Sequence, residues 1–291
     1  MDKKVFSVVI VSYKKLDILI DCIKSIQKFN DIGKALEIIV IENSGSMEIC
    51  KAISNMFKEV IVIKNENRGF GQANNIGAKI ARGEYLLFLN PDTIFIEPLF
   101  KFAIAKFDKD SNLALFGVKL VDKELNGNMS FYYIDKYGVI SNQLLKKNNK
   151  KNIYVDGKMY ISGADIFIRK NVFIESGMFD ENIFMYNEEP DLIKRIKKKC
   201  EINKTSYFSE KRLIHLEGKT TELIKNTKLK LEIESYKYYC IKYNLNFRKK
   251  INIRKRYELY KMFIYFIFGK KKQALKQKQI YNILSEFCKS K

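Results

Sequence analysis

The chain has 291 residues, room for one large domain or one domain with an appendage, and its 46% apolar and 13% aromatic side chains suffice for a full core. That composition excludes a disordered chain. The 14 Gly and 3 Pro exclude a collagen-like one, and the longest strong apolar run, Met262 to Phe268, is seven residues where a membrane-spanning helix needs about 20. The net charge of +21 is concentrated: residues 1–191 carry 26 basic and 25 acidic side chains, and residues 192–291 carry 28 and 8.

From the N-terminus, Val5 to Ser12 is a β-branched run of the kind found in strands buried on both faces. It does not read as a signal peptide, because Ser7 interrupts it and no small-residue cleavage site follows. Leu16, Leu19, Ile20, Ile23 and Ile26 then recur at helical spacing up to Phe29, and Asn30 to Gly33 is a break. Glu37 to Ile41 is a second strand, Ser46 caps a helix through Phe57, and Val60 to Ile63 is a third strand. Gly69-Phe70-Gly71 opens a helix from Gln72 to Ala81, which Gly83 is expected to end in the left-handed conformation. Tyr85 to Leu89 is a fourth strand. This alternation predicts βαβ units and a largely parallel sheet, with ligands beyond the carboxyl ends of its strands.

Residues 113–167 read as strand-rich and irregular, with a polar, lysine-rich loop near Lys146–Asn152. Asp191 to Lys199 reads as a short basic helix, and two or three helices follow from about Glu222. A boundary near residue 220 separates a body (1–220) from a basic helical extension (221–291). The cysteines Cys22, Cys50, Cys200, Cys240 and Cys288 are odd in number and scattered. They form no disulfide framework or structural zinc pattern, which fits a reducing cytoplasm.

Five segments sit at strand ends or helix starts and can carry chemistry. Val11-Ser12-Tyr13 ends the first strand with a small polar residue and a ring against which a base can pack. Glu42-Asn43 ends the second with an acceptor for the imino proton of a pyrimidine base. Arg68-Gly69-Phe70-Gly71, continuing to Asn74, Asn75 and Gly77, brings backbone amides to a helix N-terminus suited to phosphate oxygens. Asn74, Asn75 and Gly77 are poor interior helix residues and so point to a site. Asn90-Pro91-Asp92 ends the fourth strand with a carboxylate able to bind a hard cation. Glu188-Glu189-Pro190-Asp191 places three acids before a basic helix, one of them a candidate proton acceptor.

In order and spacing these segments resemble glycosyltransferase family 2, over roughly residues 5–220, and most closely its bacterial rhamnosyltransferase-like members. The resemblance implies an α/β GT-A fold, Rossmann-like with a mixed, mostly parallel sheet, and an inverting transfer of a sugar from a nucleoside diphosphate to an acceptor hydroxyl. It implies a donor site of Val11, Ser12, Tyr13, Glu42, Asn43, Arg68, Gly69, Phe70, Gly71, Asn74, Asn90 and Asp92. The catalytic base falls on Glu189, with Glu188 second, and Asp191 bonds the acceptor or the helix start. Ser162, Gly163 and Ala164 match the acceptor-side segment. His215, the only histidine, matches a position where the imidazole completes the metal shell beside Asp92, for Mg²⁺ or Mn²⁺, or touches a phosphate. The chain departs from the family pattern at Glu42 and Glu189, where Asp is usual, at Asn90, where the first acid of Asp-x-Asp is usual, and at Pro190.

The implied donor is dTDP-rhamnose, with UDP-hexoses next, and the implied acceptor a cell-surface glycan, often lipid-linked. Two other readings remain from the sequence: a nucleic-acid-binding protein, suggested by the basic tail but leaving the five segments without purpose, and a non-catalytic sugar-binding module, suggested by Asn90. The tail interleaves its charge with Tyr257, Tyr260, Phe263, Tyr265, Phe266 and Phe268. An amphipathic stretch of this kind suits an anionic membrane surface and a peripheral location at the inner face of the plasma membrane.

Overall fold

The structure, a computed structural model, describes residues 5–136, 138–216 and 225–289. Two compact units form: Met1–Ile134 with Asn148–Phe184 and Glu188–Glu222, and Asp135–Lys147 with Met185–Asn187 and Leu223–Lys291. The stretch around residue 220, with Gly218 and Glu222, lies outside the described residues.

The β-branched runs of the first unit form β1 (Phe6–Ser12) and β2 (Leu36–Glu42), buried along their whole length. β3 (Ile61–Lys64) lies at one edge, and β4 (Tyr85–Leu89) is buried throughout. With β5 (Thr93–Phe95), β6 (Leu113–Val121), β9 (Asp165–Arg169) and β10 (Lys204–His215) they make one sheet of order β3-β2-β1-β4-β9-β6-β10-β5. β7 (Phe131–Tyr133) and β8 (Met159–Ile161) form a separate antiparallel pair. β1 pairs in parallel with β2 and β4, β2 with β3, and β6 with β10. The antiparallel pairs are those of β9 with β4 and β6, and of β5 with β10. The fold is thus α/β with a mixed, mostly parallel sheet. Its core runs from Phe6 and Ile10 through Leu87 to Phe116, with Tyr85 stacked on Phe107 and Phe116 on Phe167.

The helices of this unit are α1 (Leu16–Lys28), α2 (Met47–Met56), α3 (Phe70–Ile80), α4 (Phe100–Lys109), α5 (Val139–Lys150), which crosses into the second unit, α6 (Lys170–Glu175) and α7 (Glu188–Lys199). Ser46 caps α2 by accepting from the Ile49 amide. α3 lies against β1 and β2, and a β-carbon on Gly77 would meet Val9 Cγ1 at 2.4 Å.

Three local expectations are corrected. Gly83 does not take a positive φ, and α3 ends at Ala81 (φ −58°). Gly83 is needed instead for close approach, since a β-carbon there would lie 2.6 Å from the Ser7 amide. The lysine-rich loop at 146–152 is helical through Lys150, because Asn149 accepts from the Ser130 amide at 2.8 Å and donates to the Phe131 carbonyl at 3.1 Å, tying this end of α5 to β7. The acids at 188–191 do not precede a helix but are the first turn of α7.

The second unit contains α8 (Lys225–Lys242), α9 (Phe247–Ile267) and α10 (Lys271–Lys289). Asn246 caps α9 by accepting from the Lys249 amide. Leu229, Ile233, Tyr236, Tyr239, Cys240, Ile251, Ile283 and Leu284 form its core.

At the amino ends of the strands a buried carboxylate links three elements. Glu37 accepts from Ser7 Oγ (2.6 Å), the Arg82 amide (2.6 Å) and Arg82 Nε (2.9 Å), and pairs with Arg82 Nη2 (2.8 Å). Burial alone would raise its pKa, but the bonds from Ser7 and Arg82 outweigh burial and hold it below the ordinary glutamate value. A depressed folded pKa gives stability that is present at neutral pH and lost as pH falls through that value. Glu37→Gln is expected to lower stability by about 2 kcal/mol at pH 7 in thermal or urea melts. The gap between variant and wild type should shrink below about pH 4, and a gap independent of pH would refute the assignment.

Candidate active site

The sheet order sets where a ligand can enter. The chain runs from β1 outward to β2 and β3, then crosses back to β4 on the other side of β1. The loops after β1 and β4 therefore diverge and leave a crevice at the carboxyl ends of the strands. Ser12 and Asn90 stand at that crevice.

On the β1–β3 side, the Ser12 carbonyl accepts from the Asn43 amide at 2.8 Å, and Ser12 Oγ is buried with no hydrogen-bond partner among the described residues. Val11 is buried and Tyr13 is partly exposed, with the Lys14 ammonium 5.4 Å from its ring centre. Both Glu42 oxygens accept from their own loop: the Ser44 amide (3.1 and 3.2 Å), Ser44 Oγ (2.5 Å) and the Ser46 amide (2.7 Å). The carboxylate thereby shapes the turn that presents Asn43. Asn43 belongs to a network of side-chain amides that sequence reasoning missed. Asn65 donates to Asn43 and Gln72, Asn43 donates to Asn67, and Asn67 accepts from the Gly69 amide. Short polar residues in loops carry no periodicity, so nothing in the chain announces this network.

The glycine-rich segment meets protein where a ligand was expected. A β-carbon on Gly69 (φ 111°) would lie 2.6 Å from the Phe184 carbonyl oxygen, to which the Phe70 amide donates at 2.9 Å. A β-carbon on Gly71 would lie 2.9 Å from Phe179 Cβ. Asn74 donates to the Phe70 carbonyl within α3. Asn75 accepts from the Phe179 amide and donates to the Phe179 carbonyl and to Glu181 Oε1. Gly69 to Asn75 is thus a socket for residues 179–184. Arg68 is not brought to the crevice contacts: its side chain is exposed, with Glu66 at 3.9 Å.

Beyond that socket, Tyr186 and Asn187 are both left-handed (φ 71° and 74°) and turn the chain into α7. Glu188 is buried, its Cγ near Gly71. Asp191, fully buried, is engaged by Arg195 Nε and Nη2, both at 2.8 Å, and Arg195 Nη1 donates to the Ser176 carbonyl. Glu189 reaches the segment Ser162–Ala164. A β-carbon on Gly163 would fall 2.2 Å from Glu189 Oε1, and the Gly163 amide donates to that carboxylate. Desolvation pushes the Glu189 carboxyl above the ordinary glutamate value, against the opposing effect of its own amide and that of Gly163. The Ser162 amide donates to the Ser130 carbonyl, and the Ala164 carbonyl accepts from the Asn90 amide at 3.1 Å. Residues 162–164 therefore lie between Asn90 and Glu189.

Asp92 and His215 also converge, although 123 positions separate them. β5 pairs with β10 so that Thr93 faces His215, and the Leu216 amide donates to the Asp92 carbonyl. His215 Nε2 lies 3.4 Å from Asp92 Oδ1. Yet Asp92 Oδ1, buried, has no hydrogen-bond partner among the described residues, nor has His215 Nδ1. A buried carboxylate oxygen with no donor facing an imidazole nitrogen fits a shared divalent cation. Among the described residues no group of three or more such side chains forms. Water and substrate phosphates would complete the shell, as is usual for Mg²⁺ and Mn²⁺.

Comparison with known proteins gives this arrangement its class. The mannosyltransferase PcManGT from Pyrobaculum calidifontis, solved with GDP-Man and Mn²⁺, superposes with a TM-score of 0.56 at 10% identity, over 81% of this chain and 63% of that one. GalNAc-T7, solved with UDP, GalNAc and Mn²⁺, gives 0.57 at 17% identity, over 81% and 48%. The fold is that of the GT-A glycosyltransferases. The profile of Glycosyl transferase family 2 matches residues 7–176, and the chain belongs to that family. It is a glycosyltransferase of the nucleotide-sugar-dependent kind. It is 27% identical over 193 residues to the rhamnosyltransferase WbbL of Escherichia coli, covering 60% of this chain and 70% of that protein. It is 30% identical over 134 residues to the glycosyltransferase GlyG of Streptococcus pneumoniae, covering 44% of each.

Two outcomes follow. Mn²⁺ added with a nucleoside diphosphate should raise the melting temperature of the wild type by several degrees and leave Asp92→Ala unmoved, and an equal shift in both would remove Asp92 from the cation site. Gly163→Ala must displace the Glu189 carboxylate, with an expected stability loss of about 1–3 kcal/mol by urea unfolding, and unchanged stability would contradict the close approach.

Proposed function

We propose that this chain moves a sugar from a nucleoside diphosphate to an acceptor hydroxyl in a single displacement with inversion, with Glu189 as the base. The observation that carries this reading is the placement of the Glu189 carboxylate against the Gly163 amide, with residues 162–164 bonded in turn to Asn90. A carboxylate in a desolvated pocket is a stronger base than one in water, and it takes the acceptor proton as the new bond to the anomeric carbon forms. Arg195 orients the first turn of α7 by holding Asp191. The crevice after β1 and β4 receives the nucleoside diphosphate, with the Ser12–Tyr13 and Asn43 loops on its base side. Asp92 and His215 would hold Mg²⁺ or Mn²⁺, which, when bound, offsets negative charge on the leaving diphosphate.

Similarity to a rhamnosyltransferase over 60% of the chain supports dTDP-rhamnose as the donor, ahead of a UDP-hexose. The acceptor is a growing cell-surface glycan, lipid-linked, met at the inner face of the plasma membrane. This placement is read as peripheral; no helix among the described residues is long and apolar enough to cross a membrane.

Glu189→Gln is expected to lower kcat by about 10²–10⁴-fold while the thermal shift given by dTDP or UDP with Mn²⁺ persists. In the wild type the acid limb of kcat/KM should fall as Glu189 protonates, at a pH above the ordinary glutamate value, and the variant should lack that limb. Transfer by Glu189→Gln at the wild-type rate would overturn the base. A thermal shift larger for GDP than for dTDP or UDP would overturn the donor.

A further inference from the structure

We propose that the last turns of α9, with the turn into α10, are a membrane-binding tip whose exposed apolar face lies on an anionic bilayer. The proposal rests on the reading that transfer takes place at a membrane face, and it says which surface makes the contact. Along α9 the character of the side chains changes lengthwise. Its first half packs Ile251 into the core of the second unit with Ile283 and Leu284 of α10. Its last turns and the residue after it expose Phe263 (62%), Phe266 (73%), Ile267 (57%) and Phe268 (69%). At about 100° per residue Phe263, Phe266 and Ile267 fall within one arc of about 100°, which Leu259 (38%) and Tyr260 (53%) extend toward the N-terminus, so they form an apolar stripe that runs to the turn at Phe268. Of the aromatic stretch expected from the sequence, Tyr260, Phe263, Phe266 and Phe268 are the exposed members. Ile251 and Phe268 are separated by about 25 Å of helix, which sets the exposed end apart from that packed core.

The charge around this end selects the partner. Residues 248–278 contain twelve Lys or Arg and a single acid, Glu258, which is buried and paired with Lys261. Gly269 (φ 66°) makes the turn, and Lys270, Lys271 and Lys272 follow it, all exposed, with exposed Leu275 one turn further on. Exposed aromatics followed at once by lysines match the order of an acyl boundary and an anionic headgroup layer. Nucleic acid would use the lysines and could stack bases on the phenylalanines. Its phosphates have nothing to offer Ile267 or Leu275, which cannot stack on bases as an aromatic can.

The test is flotation of the full chain with vesicles of phosphatidylcholine alone, or with about 30% phosphatidylglycerol. Binding is expected on the anionic vesicles and not on the neutral ones. The triple variant Phe263→Ser, Phe266→Ser, Phe268→Ser should lose at least tenfold in partition. Each of Lys270→Gln, Lys271→Gln and Lys272→Gln should cost about fivefold. The replaced side chains are exposed, so circular dichroism and the melting temperature should stay at wild-type values, and a variant that melts early is replaced by the corresponding triple threonine variant. A triple variant that floats like the wild type overturns the proposal, as does tighter binding to a single-stranded RNA homopolymer than to the anionic vesicles. Donor hydrolysis in vesicle-free buffer is measured in parallel. Its loss would fault the proposed chemistry and leave the tip untouched, and its persistence alongside failed flotation would fault only the tip.

Discussion

A β-carbon on Gly163 would lie 2.2 Å from Glu189 Oε1, and one on Gly69 would lie 2.6 Å from the Phe184 carbonyl. The acid segment is held to the sheet by approach of backbone to backbone and of carboxylate to backbone, at distances that leave no room for a side chain. The rest of the site depends on this constraint. Because Gly69 admits Phe184, the chain can turn sharply through Tyr186 and Asn187 into α7. Because Gly163 admits Glu189, that residue's carboxylate lies against the backbone of residues 162–164. Asn75 completes the attachment by bonding both the amide and the carbonyl of Phe179. Backbone groups so paired incur none of the usual penalty for burial.

The acids of α7 show how one helical turn can assign different tasks to similar groups. Asp191 is committed to Arg195 and so to the position of the helix. Glu189, two residues earlier, has amide donors and a desolvated setting that favours its protonated form. Glu37, at the opposite end of the sheet, has a guanidinium and a hydroxyl that favour its ionised form. Burial outweighs the donors at Glu189, and the donors outweigh burial at Glu37.

Much of the fold was legible in the chain, because continuous Val and Ile runs such as Val8–Val11 and Ile38–Ile41 have few alternatives to a buried parallel strand. Gly83 was misread because a glycine has two uses, a positive φ or a close approach, and only the neighbouring strand reveals which one applies. α5 was misread because it buries Leu145 and little else, so its sequence looks like a loop; the bonds of Asn149 to residues 130 and 131 come from tertiary context. Of the site, the segments themselves could be found by order and spacing. That the glycines of the third segment are fitted to residues 179–184 could not, since that fit is a property of two loops about 110 residues apart. The amide network through Asn65 was equally hidden.

His215 lies on β10, which threads between β6 and β5 and supplies the partner of Thr93 next to Asp92. The histidine facing Asp92 thus comes from the far end of the first unit's sequence. During synthesis Asp92 emerges first, and the imidazole follows more than a hundred residues later. At ribosomal speeds of about 5–20 residues per second that is an interval of several seconds. A chain stopped short of residue 215 would carry the crevice beyond β1 and β4 without this imidazole. The pair therefore closes only when β10 has taken its place in the sheet.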